Sequence, residues 1–260
     1  MSQQSATPAP KHGLLAGKVA VITGVGAAET IGAVTAGLFV EEGARVVATD
    51  ISGAQNETAA EIGPAAVPFQ ADITSEEQVA ALFAFALDTY GRVDILVNVA
   101  GVPGSRRTPE ITVEEYEAIS STHLLGTLLT NKHAVRAMAP TGGGAIVNFS
   151  SAASFNIDER ISPAYSAAKS GVNSLTKSFA VHHGGQGVRV NAVAPGFTLS
   201  KKNTRVPAEA LAQLSGKAAL GRPGTPQEQA QVAAFLASDR ASFLTGVVIP
   251  VDGGWTARLA

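Results

Sequence analysis

Cysteine is missing from all 260 residues, which excludes a disulfide framework, a thiolate zinc or iron–sulfur site and a cysteine nucleophile. Charge is sparse too: Asp, Glu, Lys and Arg make up 15% of the chain, against about 25% in an ordinary globular protein. With 19 basic residues against 21 acidic ones, the chain offers no field for nucleic-acid phosphates. No apolar run reaches membrane-spanning length, and the opening MSQQSATPAPKH lacks the basic start and apolar stretch of a secretory signal. A soluble, cytoplasmic protein is expected, partnered by neither membrane nor nucleic acid. Residues 1–13 carry too little apolar surface to offset their ordering entropy and read as a flexible leader.

What is present is a sizeable core: 45% of the residues are hydrophobic. Short β-branched runs (VAVIT, RVVAT, AVPFQ, DILVN, AIVNF, VRVNAV and GVVIPV) alternate with longer helical patterns. That alternation predicts βαβ units, a parallel sheet of about seven strands and a doubly wound α/β domain with helices on both faces, spanning 14–260. The runs are nearly continuously apolar, as strands covered on both sides should be. Ser75 with Gln78, Thr112 with Glu115 and Thr225 with Glu228 fit capping boxes, and Pro163 and Pro226 suit first helical positions. After Ser75, the residues Val79, Leu82, Phe83, Ala86, Leu87 and Tyr90 fall on one helical face. The stretch at about 199–221 is the least regular.

The strand VAVIT runs into TGVGAAETIGAVTAGLF, where Gly24 and Gly26 permit a tight turn ahead of an apolar-periodic helix. A strand–glycine turn–helix unit suits a Rossmann-type pyrophosphate site, because a helix N-terminus presents unpaired N–H groups. Asp50 ends the second strand, 26 residues after Gly24, where a carboxylate accepts from ribose hydroxyls and repels a 2′-phosphate. Ile51 follows it, and no Arg or Lys lies between Thr23 and Glu41, so NAD is expected over NADP.

PAYSAAKSG then places Tyr165 and Lys169 four residues apart, on one helix face. A tyrosine with its ordinary pKa near 10 is too weak an acid to serve as a base at neutral pH; Lys169 and an oxidised nicotinamide are both expected to lower it. With VDILVNVAG, the IVNFSS strand end, PG at 195–196 and the closing LTGVVIPVDGGW, the chain resembles the short-chain dehydrogenase/reductase family from about Leu14 to Trp255. The resemblance implies an NAD(H)-dependent oxidoreductase interconverting a secondary alcohol and a ketone, with Tyr165 as general acid/base. It implies Ser151 on the substrate oxygen, with Ser150 and Ser154 as neighbours of the same chemistry, and Lys169 on the nicotinamide ribose. Around the cofactor it implies Gly24, Gly26, Thr30, Ile31 and Gly32 at the phosphates and Asp50 and Ile51 at the ribose. Asp72 and Ile73 fall beside the adenine, Asn98, Ala100 and Gly101 run along the cofactor, and Pro195, Gly196 and Thr198 lie near the carboxamide. Helices at about 112–137 and 163–183 are the kind this family pairs into homotetramers or dimers.

The chain departs from the family at three places. TGVGAAETIG is two residues longer than the usual glycine loop, with Thr30 at the middle glycine; its hydroxyl is open to phosphate binding or to helix capping, the latter favoured. NVAG replaces NNAG, so Val99 removes an amide. In STHLLG, His123 stands at the family's catalytic Asn, and three roles are open to it: proton transfer, shaping the pocket, or a satisfied buried histidine. A non-catalytic NAD-binding protein is the alternative these departures suggest. Enoyl reduction is a lesser one, disfavoured by the short Tyr–Lys spacing. No histidine shows metal-ligand spacing, and no metal is expected. Arg106, Arg107, Lys201, Lys202 and Arg205 admit two readings, recognition of an anionic substrate or ordinary solvated loop charge, and the second is favoured.

Overall fold

Valine and isoleucine crowd the runs read as strands, because branched side chains pack well on a pleated surface. The computed structural model describes residues 13–104, 109–200 and 206–258. Its strands are β1 (Val19–Thr23), β2 (Arg45–Asp50), β3 (Ala66–Gln70), β4 (Ile95–Asn98), β5 (Gly144–Phe149), β6 (Val188–Pro195) and β7 (Val248–Val251). They form one parallel sheet in the order β3-β2-β1-β4-β5-β6-β7. Chain direction across the sheet reverses between β1 and β4, and such a switch point leaves a crevice at the carboxyl ends of the strands.

On one face pack α1 (Ile31–Glu41) and α8 (Pro226–Ala237), around fully buried Phe39, Ile22 and Leu236. The other face is covered by α3 (Glu76–Tyr90), α5 (Gly126–Met138) and α6 (Pro163–His183), around Leu82, Leu96, Met138 and Ile146. Each large side chain fully buried contributes roughly 1.5–3 kcal/mol by removal from water. The helix α2 (Gln55–Ile62) lies beside β3, and α4 (Val113–Ser120) leads into α5. This is the expected single, doubly wound Rossmann-type domain. Among the described residues no helix is long and apolar enough to cross a membrane.

Details differ from the pattern reading. Only β1 and β4 are buried throughout; β3, at the sheet edge, is buried at its first residue and then alternates half-buried and exposed positions. Thr225 and Glu228 close a full capping box, whereas Ser75 receives the Gln78 N–H but the Gln78 side chain accepts from the Asp72 N–H instead. Leu87 turns to solvent, and Tyr90 lies under the Arg45 guanidinium, 4.9 Å from the ring centroid. The stretch taken as irregular holds α7 (Ala208–Lys217), a helix with no buried residue. Residues 1–12 of the leader, and Arg106, Arg107, Lys201, Lys202 and Arg205, lie outside the described residues.

Candidate active site and cofactor crevice

The crevice at the switch point is held open by close backbone approaches. Gly24 has φ 74°, and a Cβ there would stand 2.6 Å from the Ala100 nitrogen; at Gly32 a Cβ would meet the Gly24 carbonyl oxygen at 2.1 Å. The Thr23 hydroxyl accepts from the Val99 and Ala100 N–H groups, both at 3.2 Å, pinning the loop after β4 to the end of β1. The result is a cavity of about 590 Å³ lined by all the glycine-turn, Asp50–Ile51, Asp72–Ile73 and Ala100–Gly101 positions expected at the cofactor. Asn98 is the exception: its buried amide donates to Asn131 Oδ1 (2.9 Å) and Asn148 Oδ1 (3.0 Å), spending the side chain inside the fold because β4 is covered on both faces.

Thr30 is the N-cap of α1, extended at ψ 163°, and its hydroxyl accepts from the Ala33 N–H at 3.3 Å. The longer loop reaches that cap through Glu29 at φ 63°, left-handed backbone where a side chain costs energy. Asp50 accepts from the Ser52 N–H (2.9 Å) and hydroxyl (2.7 Å) through one oxygen, while the other faces the glycine turn at Gly26. Asp72 folds its carboxylate into a turn with Thr74.

A second cavity, of about 570 Å³, shares Ile31, Val99, Gly101 and Val102 with the first, so the two run together along the strand ends. Into it project Ser151, Tyr165, Lys169 and His123, along with Pro195, Gly196 and Thr198. β5 delivers Ser151, which caps the short turn Ala152–Ser154 by accepting from the Ala153 N–H. Its hydroxyl is also the neighbour that lowers the pKa of the Tyr165 phenol. Ser150 is buried beneath, within reach of Asn173 Oδ1 (2.5 Å) and the Lys169 carbonyl (3.2 Å), where it ties β5 to α6. Ser154 hydrogen-bonds the Ser151 carbonyl and does not line the cavity.

Lys169 is 5% exposed; its ammonium donates to the Phe149 carbonyl at 2.7 Å, and burial pulls its pKa down to about 7. Burial pushes the Tyr165 phenol up from its usual value, and the Ser151 hydroxyl is the group that opposes this. The expectation that Lys169 lowers the phenol is thus corrected. The ammonium sits 5.7 Å from the ring centroid, turned to a backbone carbonyl, and desolvation outweighs its field.

His123 occupies a π-helical turn, Ser121–Leu125, that joins α4 to α5 and re-aims the side chain inward. It is 3% exposed, Nε2 lies 2.9 Å from the Val102 carbonyl, and Nδ1 is buried with no partner. That carbonyl can only accept, so Nε2 carries the proton. Burial first, then the Lys169 charge, lowers the imidazole pKa to about 3, although the Val102 carbonyl pulls the other way. A Cβ at Gly101 would come within 2.5 Å of the ring. His123 is therefore a neutral wall of the pocket, and the proton-transfer role near neutral pH is not supported.

Sequence reasoning passed over the outer wall, where Asp158, Arg160, Ile161, Phe197, Leu214 and Trp255 line the same cavity. Asp158 and Arg160 sit in a loop without periodicity, and only the tertiary fold brings them to α7 and the C-terminal segment.

A parallel doubly wound sheet with a glycine turn and a Tyr-x-x-x-Lys helix at its switch point defines a Rossmann-fold oxidoreductase class. Comparison with known proteins agrees. A family model described as enoyl-(acyl carrier protein) reductase matches residues 24–256. Cis-4-hydroxycyclohexanecarboxylate dehydrogenase of Sinomonas cyclohexanicum is 41% identical over 92% of this chain and 97% of its own length. The 3-oxoacyl-(acyl-carrier-protein) reductase of Thermotoga maritima is 38% identical over 92% of this chain and 98% of its own. A crystal structure from Burkholderia xenovorans, assigned to the short-chain dehydrogenases/reductases, superposes with a TM-score of 0.90 at 32% identity, covering 95% of this chain and 100% of that one. The chain belongs to the short-chain dehydrogenase/reductase family.

Proposed function

We propose that the protein is an NAD(H)-dependent dehydrogenase that interconverts a secondary alcohol and a ketone. The convergence of Ser151, Tyr165 and Lys169 on one wall of the second cavity carries this reading.

The glycine cradle fits a dinucleotide: any side chain at Gly24 or Gly32 would fill the space that admits phosphates close to backbone N–H groups. Gly24, Gly26, Gly32 and the Thr30–Ile31 start of α1 would hold the pyrophosphate, Asp50 and Ile51 the adenosine ribose, and Asp72 and Ile73 the adenine. Ala100 and Gly101 would run along the cofactor, Lys169 would bond the nicotinamide ribose, and Pro195, Gly196 and Thr198 would face the carboxamide. Among the described lining residues of this cavity there are two carboxylates, Asp50 and Asp72, and no Lys or Arg, which supports NAD over NADP. When bound, the nicotinamide supplies hydride acceptance or donation.

In oxidation the Tyr165 phenolate oxygen takes the substrate hydroxyl proton; in reduction the phenol returns it to the carbonyl oxygen. The Ser151 hydroxyl hydrogen-bonds that same oxygen and, as the neighbour that lowers the pKa of the phenol, favours phenolate. Lys169, one helical turn along from Tyr165, keeps its ammonium on the Phe149 carbonyl and serves the cofactor side of the pocket. His123 shapes the wall opposite without titrating.

The three-residue gap between Tyr165 and Lys169 favours carbonyl over enoyl reduction. A cyclic or aliphatic secondary alcohol is the substrate class, in line with the activity for which the Sinomonas relative is named. A homotetramer, to be checked by light scattering, accords with the exposed apolar residues Val113, Tyr116, Leu125 and Leu128 along α4 and α5.

The direct test follows reduced-nicotinamide absorbance with NADH or NADPH over a panel of ketones and diketones, beside Tyr165→Phe. Turnover with NADH that vanishes in the variant supports the reading. NADH binding without turnover of any ketone would favour the non-catalytic alternative.

A further inference from the structure

The outer wall of the second cavity combines apolar surface with two cations beside a single buried acid. Ile161, Phe197, Leu214 and Trp255 present the apolar part. Asp158, two residues before Arg160, is already engaged through both oxygens. Its Oδ1 accepts the Arg160 backbone N–H at 2.9 Å, and its Oδ2 forms an ion pair with the Lys217 ammonium. Burial works against the Asp158 charge, but hydrogen bonds from Lys217 and the Arg160 N–H, together with the charges of both cations, hold its carboxyl below the usual range, so it is a carboxylate at neutral pH. Lys217 in turn rests over the Trp255 ring, 5.4 Å from its centroid.

The Arg160 guanidinium makes one hydrogen bond, from an amino group to Gln213 Oε1 at 3.0 Å, and no ion pair among the described residues. Five donors arranged as a planar fork suit a carboxylate, and Gln213 uses one of them. Asp158 and Lys217 cancel, so the trio leaves a net charge of +1 at the cavity wall. Glu159, between Asp158 and Arg160 in sequence, lines a neighbouring surface hollow, which shares Asp158 and Ile161 with this cavity. The catalytic hydroxyls and Arg160 line one cavity of about 570 Å³, large enough for a nicotinamide ring and a small cyclic substrate.

From this arrangement, and resting on the dehydrogenase reading above, we infer that the substrate is a compact apolar secondary alcohol or ketone bearing a carboxylate remote from the reacting carbon, and that Arg160 binds this carboxylate. Arg160 is then a specificity residue: it selects among alcohols without touching the reacting atoms. A charge-assisted hydrogen bond of this kind is worth about ten- to hundredfold in binding.

The test compares 4-oxocyclohexanecarboxylate with 4-oxocyclohexanecarboxamide, of nearly equal shape, in NADH-linked reduction. The wild type is expected to favour the carboxylate by roughly tenfold or more in kcat/KM, mainly through KM. Arg160→Gln should bring the ratio close to one, and Arg160→Lys should restore part of it. Gln213→Ala, which removes the guanidinium's neighbour and keeps its charge, should preserve the preference. An unchanged ratio in Arg160→Gln, or a collapse in Gln213→Ala as complete as in Arg160→Gln, overturns the proposal. If neither ketone is turned over, the dehydrogenase reading fails separately, and binding decides. Trp255, the one tryptophan of the chain, lines the cavity, so its emission can be titrated with cyclohexanecarboxylate against cyclohexanecarboxamide. An Arg160-dependent preference for the acid supports the inference; equal responses, or none, overturn it.

Discussion

The His123 imidazole meets the Tyr165 ring edge-on, with 5.3 Å between centroids and 88° between planes. That contact places a side chain foreign to the family's usual pattern directly against the proposed acid/base. Its Nε2–H is committed to the Val102 carbonyl and its pKa is about 3, so it meets the phenol as a neutral ring.

A pH dependence of stability follows. The folded pKa of His123 lies below the unfolded value of about 6.5, so below that pH the unfolded chain binds a proton that the native state refuses. Native stability is therefore full above pH 6.5 and lost on acidification toward 3, at up to about 1.4 kcal/mol per pH unit. His123→Asn should flatten denaturant-derived stability between pH 6.5 and 4 relative to wild type. Parallel curves for the two proteins would show that His123 titrates normally.

Replacing Tyr165 by Phe removes the only proton carrier assigned to the substrate oxygen. General acid–base catalysis is worth about 10²- to 10⁴-fold, so kcat should fall by at least that much. NADH affinity, read by fluorescence titration, should stay within a fewfold of wild type, since phenol and phenyl fill the same space. Retained turnover would remove Tyr165 from the mechanism.

At the other end of the crevice, Asp50→Ser should relax the discrimination between cofactors. The carboxylate that accepts from ribose hydroxyls also repels a 2′-phosphate; without it, kcat/KM for NADPH relative to NADH should rise by about tenfold or more. If the ratio stays put, Asp50 serves only its turn with Ser52.

Gly32 offers a test of the cradle. A Cβ there would lie 2.1 Å from the Gly24 carbonyl oxygen, which is backbone and cannot step aside cheaply. Gly32→Ala should cost about 1–3 kcal/mol, the usual penalty of overpacking, and weaken NADH binding as the turn is displaced. Thermal unfolding and cofactor titration would measure both, and a variant unaltered in either would mean the turn is looser than its contacts indicate.

Periodicity and local chemistry determined much of this protein from the sequence alone. Seven β-branched runs separated by helical patterns dictate a parallel sheet, because strands buried on both faces need near-continuous apolar residues and right-handed helical crossovers. Gly24, Asp50, Ser151, Tyr165 and Lys169 were legible because each belongs to a short local motif whose spacing carries its geometry. For Thr30 the sequence favoured capping over phosphate binding, and the structure makes it the N-cap of α1.

Other features depended on contacts between residues far apart in the chain. Asn98 turned inward because Asn131 and Asn148 wait beside it. The pKa values of Lys169 and His123 arose from burial, which depends on everything packed around them. The sequence named His123 but left its role open; a π-helical turn and the Val102 carbonyl decided it. Arg160 carried no motif at all. What left positive charge in excess there was the pairing of Asp158 with Lys217, 59 residues away, a contact that only the folded chain makes.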